Sequence, residues 1–294
     1  MWRNFLSQFN FMPYDMLNLI FVGLLLLLTI IFYPHLFYAK QLIIFYIFLL
    51  TFIIFCVFLS TLNTSKKSAY IHYFYPIFLI FFIFQSFDYI IPYLHNHLKD
   101  EFLYHLDILI FGVCPFKYLE KWTKPWLTEI MQLGYISYYF MPVILVLILL
   151  KKQDKRLPSV IFTILLGFYL SYMGYLIFPA MGPRGLGISQ VAVYKDTWLA
   201  AKLFKILNLL EKNKTDAFPS GHTQISLICT YFAFYLNKTI GIVFGIMTMF
   251  LIFSTVYCRY HYVTDVLAGA LLAFISLKIA PYLERLIQSN SLTN

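Results

Sequence analysis

The chain has 294 residues, of which 61% are hydrophobic and only 12% charged, and its mean hydropathy is +0.76. Soluble globular chains are about 45–50% apolar, so this composition excludes a water-soluble domain and calls for a bilayer. A formal charge of +9 then reads as basic loops facing anionic head groups, not as a nucleic-acid surface.

A membrane-crossing helix takes roughly 20 mostly apolar residues. Runs of that kind lie near 16–34, 41–60, 70–93, 126–150, 158–178, 222–237, 239–258 and 262–283. The predicted fold is an all-α integral membrane protein with about eight transmembrane helices. Arg3 is the only early cation, and the apolar run after it is too long for a signal-peptide core, so it is read as a true span. Only Asn237 and Lys238 separate the sixth and seventh runs, which predicts a tight hairpin. Gln288 to Asn294 are polar and read as a loose tail.

Two long loops interrupt the spans. In the first, about 95–125, Leu103, Leu106, Ile110 and Phe111 recur near helical spacing with charges between them. In the second, about 179–219, Leu199, Leu203, Ile206 and Leu210 share one face and Lys202, Lys205 and Lys212 lie off it. Each predicts an amphipathic helix in the membrane interface. With the N-terminus in the cytoplasm, Lys66, Lys67, Lys151, Lys152, Lys155, Arg156 and Lys238 all fall inside, as the positive-inside rule requires. Both long loops and Arg259 then fall outside. Cys56, Cys114, Cys229 and Cys258 have no metal-ligand spacing and read as packing residues.

Three segments place polar groups at span ends on one predicted side. In FPAMGPR, Pro179 and Pro183 stop a helix, Gly182 allows a turn, and Arg184 either snorkels or binds an anion. In AFPSGHT, Ser220 is a good N-cap and Gly221 allows close approach to the backbone. The start of that helix favours phosphate, and His222 on its first turn can donate a proton. In CRYHYVTD, His261 and Asp265 are four apart and share a helix face. The carboxylate can accept one ring proton and leave the other nitrogen as a nucleophile. Arg259 offers a fork of donors for phosphate oxygens. His222, His261 and Asp265 are also types that bind zinc, but Arg184 and Arg259 favour an anion there, and no metal is expected.

Together these segments resemble the type 2 phosphatidic acid phosphatase superfamily, whose six-helix core carries a basic motif, a PSGH motif and a His-x-x-x-Asp motif at helix ends. The resemblance covers residues 66–286, with 1–65 as an added N-terminal pair of helices and 287–294 as a polar tail. It implies that His261 attacks phosphorus to form a phosphohistidine, His222 protonates the leaving group and Asp265 orients His261. Arg184, Arg259 and the amides near Ser220 and Gly221 would hold the phosphate oxygens, with no cofactor. Ile177 stands where the common pattern has Lys, Gly185 where it has Pro, and Ser254 and Thr255 where it has Ser-Arg. These departures, with the form His261-Tyr262-x-x-Asp265, resemble the branch of fungal inositol phosphorylceramide synthase and sphingomyelin synthase.

The expected function is a lipid phosphatase or phosphotransferase acting on a lipid phosphate or phosphodiester. The alternatives are transfer of a phospho-head group to a lipid alcohol and, from another class, a transporter. The expected location is a bacterial inner membrane with the site on the extracytoplasmic side. Asp88, Glu129 and Gln132 lie in or beside spans and read as helix-end or interhelical hydrogen-bonding groups before head-group ligands.

Overall fold

The structure is a computed structural model that describes residues 11–62 and 66–292; Arg3 lies outside the described residues. Helices α1 (Pro13–Ile31) and α2 (Ala39–Leu62) come first, followed by α3 (Lys66–Ser86). The first long loop holds α4 (Asp100–Phe111) and a short α5 (Pro115–Leu119). After α6 (Pro125–Lys151) and α7 (Leu157–Ile177), the second long loop holds α8 (Leu199–Leu210). The chain closes with α9 (Gly221–Leu236), α10 (Lys238–Tyr257) and α11 (Val263–Leu292). Among the described residues there is no strand, only an isolated parallel bridge between Ala180 and Asp216.

Local chemistry starts these helices where they start. Proline occupies the first turn of α1, α6 and α7, where its missing N–H leaves no bond unmade. Ser220 caps α9 by accepting from the Thr223 amide at 3.3 Å. Asn237 ends α9 and caps α10 through the Thr239 amide at 2.7 Å, so one residue makes the hairpin.

Among the described residues, seven helices are long and apolar enough to cross a membrane. The count becomes eight if α4 and the segment Pro115–Trp122, which meet at 73°, form one bent span. The sequence expects a span at 222–237 instead. There α9 has only 16 residues, about 24 Å of helix, because Ser220 and Asn237 bound it. The first long loop is thus a bent pair, not a single helix. The tail expected to be loose from Gln288 is helical through Leu292.

The most buried span is α7, with 72% of its apolar window inside the bundle. It packs on α1, α9 and α11. Asp15 of α1 lies fully buried against α3. Its carboxylate accepts from the Tyr75 hydroxyl at 2.6 Å and the Met12 amide at 2.7 Å, and pairs with His72 Nε2 at 2.8 Å. Asn18 links Tyr75 to Tyr169 of α7 at 2.7 and 2.6 Å. A buried polar group in a membrane bundle must find partners, and this cluster ties the N-terminal pair to α3 and α7.

Helices α3 and α6 stand apart, and a cavity of about 520 Å³ lies between them, walled by α7 and covered by α8. From Tyr73 to Gln85 of α3 it runs about 18 Å along the helix, comparable with half of a roughly 30 Å hydrocarbon core. Pro76 and Pro142, inside α3 and α6, both line it. Its walls are otherwise Phe, Ile, Leu, Val and Tyr, and its polar end is formed by Gln85, Glu211, Asp216 and His222.

Candidate active site

His222 opens α9, and His261 sits in the short turn between α10 and α11. Backbone approach brings them together. A side chain on Gly269 of α11 would run into the Ser220 carbonyl, and one on Gly182 would run into the Tyr260 carbonyl. Gly182 also has φ +78°, a conformation that favours glycine. The second motif thus packs on α11, and the first packs on the turn that carries His261.

His261 is buried and uses both ring nitrogens. Nδ1 lies 2.8 Å from the Ala217 carbonyl oxygen. A carbonyl only accepts, so Nδ1 carries the proton, and Nε2 presents its lone pair. Nε2 faces His222 Nδ1 at 3.3 Å. Asp265 Oδ2 stands farther from His261 Nδ1, at 3.4 Å, and accepts instead from the Tyr262 amide at 2.8 Å. The role that the sequence assigns to Asp265 therefore falls first to a backbone carbonyl, because the bridge at Asp216 swings Ala217 alongside the imidazole. Asp265 Oδ1 is buried without a partner.

His222 Nε2 is likewise buried and unpartnered. Its ring stacks on Tyr135 at 4.6 Å and tilts against Tyr138 at 4.2 Å. The phosphate ligands expected from the sequence are only partly free. The Ser220 amide donates to the Asp265 carbonyl at 3.0 Å. The Gly221 amide meets the Tyr175 hydroxyl. Arg184 donates to the Met181 and Lys214 carbonyls at 2.8 and 3.1 Å and pairs with Asp216 at 3.1 Å. Its charge still reaches both histidines. Arg259 points elsewhere. Its backbone has φ +61°, and its guanidinium binds the Ser189 carbonyl at 2.7 Å and Glu120 at 3.0 Å. Arg184, His222, His261 and Asp265 thus converge, while Arg259 braces the first long loop against the second.

Several residues here were missed from sequence. Asp216 stands four places before Ser220 and was readable as a charge beside the PSGH string; Glu211 and Lys214 carried no signal. Asp100 and Asp107 of α4 are the concealed supports. Asp100 accepts from the Met181 amide at 3.1 Å, and Asp107 accepts from the Val263 and Thr264 amides at 3.0 and 2.8 Å. Glu129 accepts from the amides of Leu199 and Ala200 at 3.0 and 2.7 Å, capping α8, and Gln132 accepts from Tyr194 at 2.7 Å. Both are therefore loop anchors. Asp88 acts at longer range, its charge reaching Lys214.

Burial pushes the His261 imidazole down to about 4; Asp216 and the Ala217 carbonyl oppose this and Arg184 adds to it. Burial and the Asp216 charge push the Glu211 carboxyl up to about 7, against Tyr139, Lys214 and Arg184. At neutral pH the His261 imidazole is thus uncharged. No cluster of three or more His, Cys, Asp or Glu placed to hold a metal occurs among the described residues.

The profile of the PAP2 superfamily matches residues 112–279, more than half of the chain. The chain belongs to the PAP2 superfamily. Arg184, His222, His261 and Asp265 all lie inside the matched segment. A PA-phosphatase related-family protein of Dictyostelium discoideum is 29% identical over 164 residues. That alignment takes in 48% of this chain and 30% of that protein, so the chain spans under a third of the relative's length. No solved structure matches.

Proposed function

We propose that this PAP2 superfamily member transfers a phosphoryl group from a membrane lipid through His261. The observation that carries this reading is the histidine pair at the polar end of an apolar cavity. His261 Nε2 is proton-free, and His222 lines the same cavity that an acyl chain fits. Substrate entry breaks the His222–His261 contact. The His261 Nε2 lone pair then attacks phosphorus, the bond to the lipid oxygen breaks, and His222, whose proton burial disfavours until the phosphate's negative charge lies beside it, gives that oxygen a proton. Water or a lipid alcohol next attacks the phosphohistidine, the P–N bond breaks, and His222 takes the proton back. Arg184 holds phosphate oxygens, and Asp265 fixes the turn that presents His261.

Transfer to a lipid alcohol, as in the inositol phosphorylceramide synthase branch, is the second reading. Ile177, Gly185, Ser254 and Thr255 favour it, as does the apolar lining, which suits a lipid acceptor better than water. The N-terminal helix pair at 1–65 is an addition to a catalytic unit at 66–286. The site lies on the face opposite the Lys151–Arg156 loop, hence extracytoplasmic by loop charge. The matched relative is a eukaryotic protein, and a bacterial inner membrane is an expectation from composition alone.

The test compares wild-type and His261→Ala protein in detergent, with phosphatidic acid as one substrate and a labelled phospholipid plus ceramide or diacylglycerol as the other. Phosphate release that dies with His261 supports the phosphatase. Label moving to the acceptor supports the transferase. Equal activity of the two proteins in every assay sinks the mechanism.

A further inference from the structure

Among the described residues, the cations nearest the two histidines already face carboxylates. Arg184 pairs with Asp216 at 3.1 Å, while Arg259 points away from the histidines and is taken up by Glu120 at 3.0 Å. Lys214 lies within reach of the charges of Glu211 and Asp216. Glu211 and Asp216 also line the cavity beside His222. The side chains around the reacting phosphate therefore carry little net positive charge. A phosphomonoester brings about 1.5–2 negative charges at neutral pH, and a phosphodiester brings one. In a partly buried site, the extra charge meets Asp216 and Glu211 with little screening.

We infer that Asp216 and Glu211 make the site selective for a singly charged phosphodiester lipid over a doubly charged phosphomonoester. This rests on the phosphoryl-transfer reading and assigns its substrate class. Asp216 is the stronger determinant, since it holds the guanidinium that a phosphate needs and its charge also reaches His261. An alternative role is open to test. Asp216 would merely swing aside as any phosphate enters, weakening monoester and diester binding equally.

The substrates for the test are phosphatidic acid and its methyl ester, phosphatidylmethanol, with identical acyl chains. They differ by one methyl group and one charge, and both release diacylglycerol when the same P–O bond breaks. Diacylglycerol release by the full chain in nanodiscs should show kcat/KM at least tenfold higher for the methyl ester. Asp216→Asn should shrink that ratio about tenfold by gaining on phosphatidic acid, with Glu211→Gln acting the same way more weakly. Should Asp216→Asn fail to fold, Glu211→Gln and the wild type carry the test. In the wild type, lowering the pH from 7.5 to 5 removes the second charge of phosphatidic acid (second pKa about 6) and neutralises Glu211, which is faced by Tyr139, Asp216, Lys214 and Arg184. The ratio should then fall towards one. A wild type that prefers phosphatidic acid, or variants that shift both substrates equally, overturns the inference and leaves the mechanism standing. Diacylglycerol release that is unchanged in His261→Ala overturns the mechanism and the inference together.

Discussion

The Nδ1 proton of His261 goes to the Ala217 carbonyl, and that choice leaves the Nε2 lone pair free for the attack proposed above. Replacing His261 by Ala should cost at least about a thousandfold in kcat, and His222→Ala about 10²–10⁴, both read as product release by purified protein. Burial holds His261 near 4, so the acid limb of the rate profile should fall near pH 4, and a limb at 6.5 would contradict this environment. His261 binds its proton more weakly when folded than the ordinary value near 6.5, so stability is lost as pH falls from 6.5 towards 4. Glu211 works the other way. Its raised value means that the folded chain holds more protons between about 4.5 and 7, so stability falls as pH rises through that window. Glu211→Gln should therefore gain thermal stability relative to wild type on going from pH 5 to pH 8. The four-residue spacing of His261 and Asp265 was legible in the sequence. The direction of Arg259 was not, because a left-handed backbone and a partner 139 positions away set it.

Among the elements, α4 does work that its amphipathic pattern does not announce. Asp107 is fully buried and takes the two amides that open α11, two residues past His261. Asp107→Ala should cost about 1–3 kcal/mol for amides left unpaired and lower kcat as His261 loosens; Asp107→Asn, which keeps one acceptor oxygen, should cost less. Melting temperature and turnover measured together check both. The periodicity of α4 and α8 made both helices readable. The bend after Phe111 was not, since Gly112 and Pro115 mark a turn without fixing its angle. The run at 222–237 was legible to within a residue, because the caps at Ser220 and Asn237 stand on either side of it in the sequence, and at 16 residues it is short of the roughly 20 that a span takes.

Across the whole molecule, the seven long apolar runs were plain in the sequence because the bilayer demands them. The clamp around Asp15 was concealed, as its partners come from helices 57 to 60 positions away. Asp15→Ala should lower stability by about 3–5 kcal/mol and free the N-terminal pair, seen as faster proteolysis between α2 and α3. The cavity between α3 and α6 is also a property of the assembled bundle, not of any one segment. It meets its surroundings sideways, along helices whose outer faces carry exposed Phe81 and Phe140. A catalyst fed through such an opening counts its substrate per unit area of bilayer. Diluting the substrate lipid with an inert one should slow it at constant bulk concentration, and adding more vesicles of the same composition should leave the turnover of saturated, fully inserted protein unchanged.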